Sequence, residues 1–184
     1  LIPEMINILS KFDDNILEKI KFVAKVSKFD KIIATGSKNT SIYFNKYFSK
    51  YPHIIRKNRT SVALLDGSET KKELIALAKD IFLYYGLGCR NVTKLYLPLG
   101  YNLDNVFNGL FKMKDVIQNN KYANNYDYHK AIFLLENYDI IENGFIILKE
   151  DKSIFSPIGT LYYEFYNSED DINIILDEYK NDIQ

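Results

Sequence analysis

The chain has 184 residues, enough for one domain or parts of two with a substantial core, and its 24 Lys plus Arg balance 24 Asp plus Glu. A net charge of zero provides no field to draw the chain to nucleic acid or to an anionic membrane surface, and its apolar runs fall far short of the roughly 20 residues of a membrane-spanning helix. A single cysteine rules out an internal disulfide and suits a reducing cytoplasm, and with only two histidines beside it no structural zinc site is expected.

Helical periods alternate with short apolar runs, which predicts an α/β fold. Asp13 or Asp14 is expected to cap a helix carrying Ile16, Leu17, Ile20, Val23 and Val26 on one face. Phe29 to Thr35 reads as a strand, followed through Gly36 and Ser37 by a helix to about Lys50 with Ile42, Phe44, Tyr47 and Phe48 on its apolar side. Thr60 to Leu65 is β-branched and aliphatic enough for a second strand, ended by Asp66-Gly67. Leu74, Leu77, Ala78, Ile81 and Tyr85 predict a strong amphipathic helix over about 69–85, with Gly86 as its C-cap. A strand follows over 92–97, stopped by Pro98 and Gly100, then helices over about 102–119 and 125–137. Strands at 145–148 and 161–165 and a helix around 171–180 complete the pattern. The opening without a leader segment, and a last helix without a stop signal, read as a piece of a longer protein.

The run Gly86-Leu87-Gly88-Cys89-Arg90-Asn91-Val92 places the one cysteine on a glycine-flanked turn between helix and strand. Glycines permit a tight bend and close approach of a ligand, and Arg90 supplies a positive charge that favours thiolate over thiol. Cys89 is therefore the candidate nucleophile. A Cys–His dyad with His53 or His129 is a second possibility, and an inert, buried cysteine in a structural or interaction module a third.

Three stretches together resemble the fatty acyl-CoA reductases, a branch of the aldehyde dehydrogenase superfamily that includes the reductase supplying aldehyde to bacterial luciferase. They are Ile32-Ile33-Ala34-Thr35-Gly36-Ser37, the segment Tyr51 to Gly67, and Gly86 to Lys94 with its Cys-Arg-Asn-Val-Thr core. The resemblance implies an aldehyde-dehydrogenase-like fold, with residues 1–66 as the closing part of a nucleotide-binding domain and 67–184 as an incomplete catalytic domain. It implies cofactor contact by Thr35, Gly36 and Ser37, NADPH as cofactor with NADH as the alternative, and an acyl-CoA substrate. It also implies cytoplasmic placement and assembly as a homo-oligomer or within a fatty-acid reductase complex.

In the superfamily one oxyanion donor is the backbone N–H of the cysteine, here Cys89, and the second is a side-chain amide from a stretch before Leu1. Hydrolytic members carry Glu-Leu-Gly-Gly between the Thr-Gly-Ser element and the cysteine, the glutamate activating water. The corresponding stretch, His53 to Lys57, contains no glutamate. A reductase that hands its acyl group to hydride has no use for a well-placed base beside water, so this departure points to acyl-CoA reduction over aldehyde oxidation.

Overall fold

The computed structural model describes residues 1–36, 38–57 and 60–183. It divides into two compact units, Leu1–Lys57 and Asn58–Gln184.

The first unit opens with α1 (Ile2–Leu9) and a single turn, α2 (Ile16–Lys19). The helix expected to run on through Val26 is absent. Asp13 Oδ1 accepts from the backbone and side chain of Asn15 at 3.0 and 2.9 Å, but Leu17, Ile20, Val23 and Val26 are all exposed. An apolar stripe propagates a helix in water only when a partner buries it. A βαβ unit follows: β1 (Ile32–Gly36), α3 (Lys38–Phe48) and β2 (His53–Lys57), with the strands parallel and Ile32 opposite His53. Phe29 stacks on Tyr51 at 4.6 Å and on Phe48 at 5.7 Å, joining the approach to β1 to the end of α3. Of the apolar side expected for α3, Phe44 and Phe48 are half-buried while Ile42 and Tyr47 face solvent.

The second unit is a five-stranded sheet in the order β3-β4-β7-β6-β5, from Ser61–Leu64, Val92–Pro98, Thr160–Tyr166, Ile147–Glu150 and Ile140–Glu142. All neighbours are parallel except the β5–β6 hairpin. β3 is hydrogen-bonded to β4, and Leu65 N–H continues the ladder to Tyr96 O at 3.0 Å, so residues 60–66 belong with the second unit.

Helix α4 (Lys71–Phe82) is started by a capping box in which Thr70 Oγ1 accepts from Glu73 N–H and Glu73 Oε2 accepts from Thr70 N–H at 2.8 Å. It packs against α5 (Leu103–Leu110) at Gly109, where an added Cβ would lie 2.4 Å from Leu74 Cβ. The helix expected over 102–119 tightens after Leu110 into a 3-10 segment, Phe111–Gln118. Asn119 then caps α6 (Asn120–Leu135) through Lys121 and Tyr122 N–H groups, each at 3.1 Å. Helix α7 (Glu169–Tyr179) begins at a second capping box, Ser168 with Asp171. Leu74, Ala78, Phe82, Val106, Leu110, Tyr122 and Phe145 pack with Leu95, Leu97, Leu148 and Leu161 of the sheet in one buried core.

Glu142, at the end of β5, ties the hairpin to α6: it accepts from Lys130 Nζ at 2.8 Å, from the Tyr126 hydroxyl and from Gly144 N–H at 2.7 Å. The Lys130 and Tyr126 bonds together hold its carboxyl down to about 2, against the burial that opposes them. A carboxyl depressed in the folded state contributes stability above its unfolded value near 4.5, which disappears as pH falls toward 2. We expect Glu142→Gln to narrow its stability deficit against the parent chain as pH is lowered through that window, measured by urea denaturation at stepped pH. An offset independent of pH would show that the charge on Glu142 contributes nothing.

Candidate functional site

Cys89 is exposed, at the middle of the turn that joins α4 to β4. The helix ends at Phe82 rather than running to Gly86, and Leu83–Gly86 forms a 3-10 turn in which Tyr84 and Tyr85 both adopt left-handed backbone, φ 55° and 59°. Two successive non-glycine residues there cost roughly 1–3 kcal/mol each, so the surrounding structure has to hold them. Leu87 N–H bonds Tyr84 O at 3.1 Å and Asn91 N–H bonds Gly88 O at 3.0 Å, closing a second turn with Cys89 and Arg90 at its centre. Arg90 is exposed beside the thiol.

Asn91 anchors this arrangement. Only 5% exposed, it turns its side-chain amide onto the end of α4, with Nδ2 2.9 Å from the carbonyl oxygens of Asp80, Ile81 and Leu83. Two amide protons shared among three acceptors satisfy carbonyls that a helix terminus leaves open. The Asn91 carbonyl in turn accepts from Ser61 N–H of β3 at 3.3 Å. Gly88 is required by the same side chain, since a Cβ there would sit 2.5 Å from Asn91 Oδ1.

Because β4 and β7 are parallel neighbours, the turn entering β4 and the loop entering β7 lie at one end of the sheet. Between them is a small pocket, partly open to solvent, whose walls include Gly86 and Asn91 on the Cys89 side and Ser156, Pro157 and Thr160 on the other. Tyr122 adds its ring, its hydroxyl donating to Phe145 O at 2.9 Å. Thr160 is buried, and its Oγ1 has no hydrogen-bond partner.

Thr35 and Gly36 belong to the first unit, at the carboxyl end of β1 just before α3 begins. Thr35 is exposed. Gly36 faces Thr40, whose Cγ2 would be 2.8 Å from any Cβ at position 36. Ser37, the third residue expected at the cofactor, lies outside the described residues. His53 Nδ1 pairs with Tyr51 O at 2.8 Å within the first unit, and His129 packs against the rings of Tyr128 and Phe133 in the second. Burial favours the neutral form of His129. Among the described residues no group of three or more His, Cys, Asp or Glu side chains could hold a metal ion, and no helix is long and apolar enough to cross a membrane.

Sequence reasoning reached Cys89 and its glycines but not Asn91, Thr160 or the loop at 156–160. Asn91 lies within the run that drew attention to Cys89, yet its role depends on where α4 stops, at Phe82, with bonds reaching 8 to 11 residues back. No local pattern marks the others.

The fold is that of part of an aldehyde dehydrogenase. An indole-3-acetaldehyde dehydrogenase in complex with NAD+ superposes with a TM-score of 0.60 at 12% identity, over 79% of this chain and 37% of that one. Aldehyde dehydrogenases from Bacillus cereus and Mycobacterium tuberculosis, both in complex with NAD+, give TM-scores of 0.58 at 12% and 13% identity over 80% of this chain. The chain thus spans somewhat over a third of these proteins, 37–38% of the lengths of the three. No protein-family profile and no curated protein sequence matches it.

The contact between Asn91 and Gly88 generates a prediction. Asn91→Ala removes the anchor of α4 and should destabilise by about 1–3 kcal/mol, the usual cost of leaving buried polar groups unpaired. Gly88→Ala should also destabilise, by displacing Asn91, but should cost much less in the Asn91→Ala background, because the clash is with the side chain already removed. Additive losses in a double-mutant cycle of urea denaturation would refute this account of Gly88.

Proposed function

We propose that the chain carries part of an NADPH-dependent fatty acyl-CoA reductase, with Cys89 as the residue that takes the acyl group. The observation that carries the reading is an exposed cysteine on a rigidly held turn, at the end of a parallel sheet, in a fold of the aldehyde dehydrogenase type. Exposure removes the premise of the inert, buried cysteine.

In this mechanism Cys89 attacks the thioester carbonyl as its thiolate. A carbon–sulfur bond forms to Cys89, the bond to the CoA sulfur breaks, and CoA leaves as its thiolate. The two thioesters are of similar energy, so the exchange needs no strong driving force. Backbone N–H groups at the Cys89 turn are candidates to stabilise the oxyanion, a single such donor being worth roughly 3 kcal/mol. NADPH, when bound, supplies the hydride that converts the acyl group to aldehyde and frees the thiol. The absence of glutamate from His53 to Lys57 disfavours loss of the acyl group to water.

The chain's own residues fit a dinucleotide at the β1–α3 junction. There the strand ends in exposed Thr35 and side-chain-free Gly36, and a helix start follows, a place whose dipole suits phosphate. NADH is the alternative cofactor, and a homo-oligomer or fatty-acid reductase complex the expected assembly.

Incubation with radiolabelled long-chain acyl-CoA should leave a hydroxylamine-labile adduct on the parent protein and none on Cys89→Ala. An adduct persisting in that variant, or no adduct on the parent, would overturn the mechanism. Thr35→Ala and Ser37→Ala should weaken NADPH binding, followed by cofactor fluorescence, while acylation of Cys89 proceeds at the parent rate, because acylation precedes hydride transfer. Equal losses in both measurements would remove these residues from the cofactor site.

A further inference from the structure

Among the described residues two lysines are buried in the centre of the sheet, and neither touches the Cys89 turn's pocket directly. Lys94 of β4, Tyr162 of β7 and Lys149 of β6 form one row across the sheet, the two lysines 0% and 6% exposed. Lys149 pairs with Asp151 and lies over the rings of Tyr138, Tyr162 and Phe133, at 4.1, 5.3 and 5.6 Å. Lys94 donates to Glu164 Oε2 at 2.9 Å and to the backbone carbonyl of Asp151. An ion pair so buried is weak ground for stability, since apolar replacements of similar volume are often neutral. What the lysine reaches is more informative.

Asp151 is the first residue after β6 and opens the loop that returns to β7. Its carbonyl is held by Lys94, and the carbonyl of Ile154, further along the same loop, is held by Thr93 Oγ1 at 2.5 Å. Thr93 is itself fixed by Thr60 Oγ1 at 2.6 Å. Successive strand residues point to opposite faces, so Thr93 and Lys94 grip the loop at two points from two sides. The loop then continues through Ser156, Pro157 and Gly159 to Thr160, the wall of the pocket that faces the Cys89 turn. The residue two before Thr93 is Asn91, which holds the opposite wall through the carbonyls at the end of α4. Asn91, just before β4, and Thr93 and Lys94 at its start thus bind backbone carbonyls of the segments on both sides of the pocket.

We propose that Thr93 and Lys94 are positioning residues for acyl transfer to Cys89, acting by fixing the 151–160 loop against the turn that carries the thiol. The inference rests on the reading of Cys89 as the acylated residue, and Lys94 acts through its bond to the Asp151 carbonyl rather than through its charge pair with Glu164.

Three variants test it on the chain as it stands. Thr93→Val, nearly isosteric, removes one grip, and Lys94→Met removes the other while keeping an unbranched apolar stem. Glu164→Gln removes the charge pair and leaves the Asp151 bond. Amide hydrogen exchange should accelerate at least tenfold over residues 152–160 in Thr93→Val and Lys94→Met, with β4 and β7 unchanged, and should stay at the parent rate in Glu164→Gln. Transfer from acyl-CoA to Cys89 should slow about tenfold in the first two variants only, while alkylation of Cys89 by iodoacetamide remains at the parent rate in all three. Acceleration spread evenly over the sheet and loop in Thr93→Val, or an unchanged loop in that variant, overturns the proposal; so does a loss of acylation in Glu164→Gln equal to that in Lys94→Met. A parent protein that takes no acyl group defeats the functional reading separately, and the exchange pattern then decides whether the grip exists.

Discussion

The candidate site depends on one side chain satisfying the end of one helix. A helix that stops in the interior leaves carbonyls open, and here the amide of Asn91 answers those of Asp80, Ile81 and Leu83. The bonds reach back over the residues between, so the chain from Leu83 to Arg90 is forced into a short double turn. Net contributions of roughly 1 kcal/mol per hydrogen bond are of the same order as the cost of Tyr84 and Tyr85 in left-handed backbone. The bond from Leu87 N–H to Tyr84 O closes the turn beside it. Cys89 is thus presented at the surface by a buried residue two positions away.

The sheet supplies the second constraint. Parallel pairing of β4 and β7 brings their two entering segments to the same end, which is why a loop more than sixty residues downstream forms the other wall of the pocket. Parallel strands need long crossover connections, and the segments leaving β4 and β6 make them with α5, the 3-10 segment and α6, and with the 151–159 loop. Buried Lys94 and Lys149 are tolerated in the centre because each has a carboxylate partner and aromatic rings around it.

The elements most legible in the sequence were those whose pattern and punctuation agree. Helix α4 has both an apolar face and a Thr70–Glu73 capping box, β4 is a β-branched and aliphatic run ended by Pro98, and both appear close to their expected limits. The helix expected through Val26 had the same periodicity as α4, but the structure leaves its stripe exposed, and without burial the period does not make a helix. Strand β5 is three residues long and owes its place to Glu142 and the hairpin, which no local run announces. Ser61–Leu64 reads as a strand from its own residues, and only its pairing with β4 says which sheet it joins.

By itself the sequence determined the α/β alternation, the glycine-flanked turn and the identity of the one thiol, because these follow from residue type and spacing over a few positions. Tertiary structure alone decided that Cys89 is exposed while Asn91 is buried, and that Thr93 and Lys94 hold a loop 57 to 61 residues away. The physical reason is that a polar group's partner is set by where the chain returns after long connections. A carbonyl at Ile154 carries no mark in the sequence of the hydroxyl at Thr93 that will bind it.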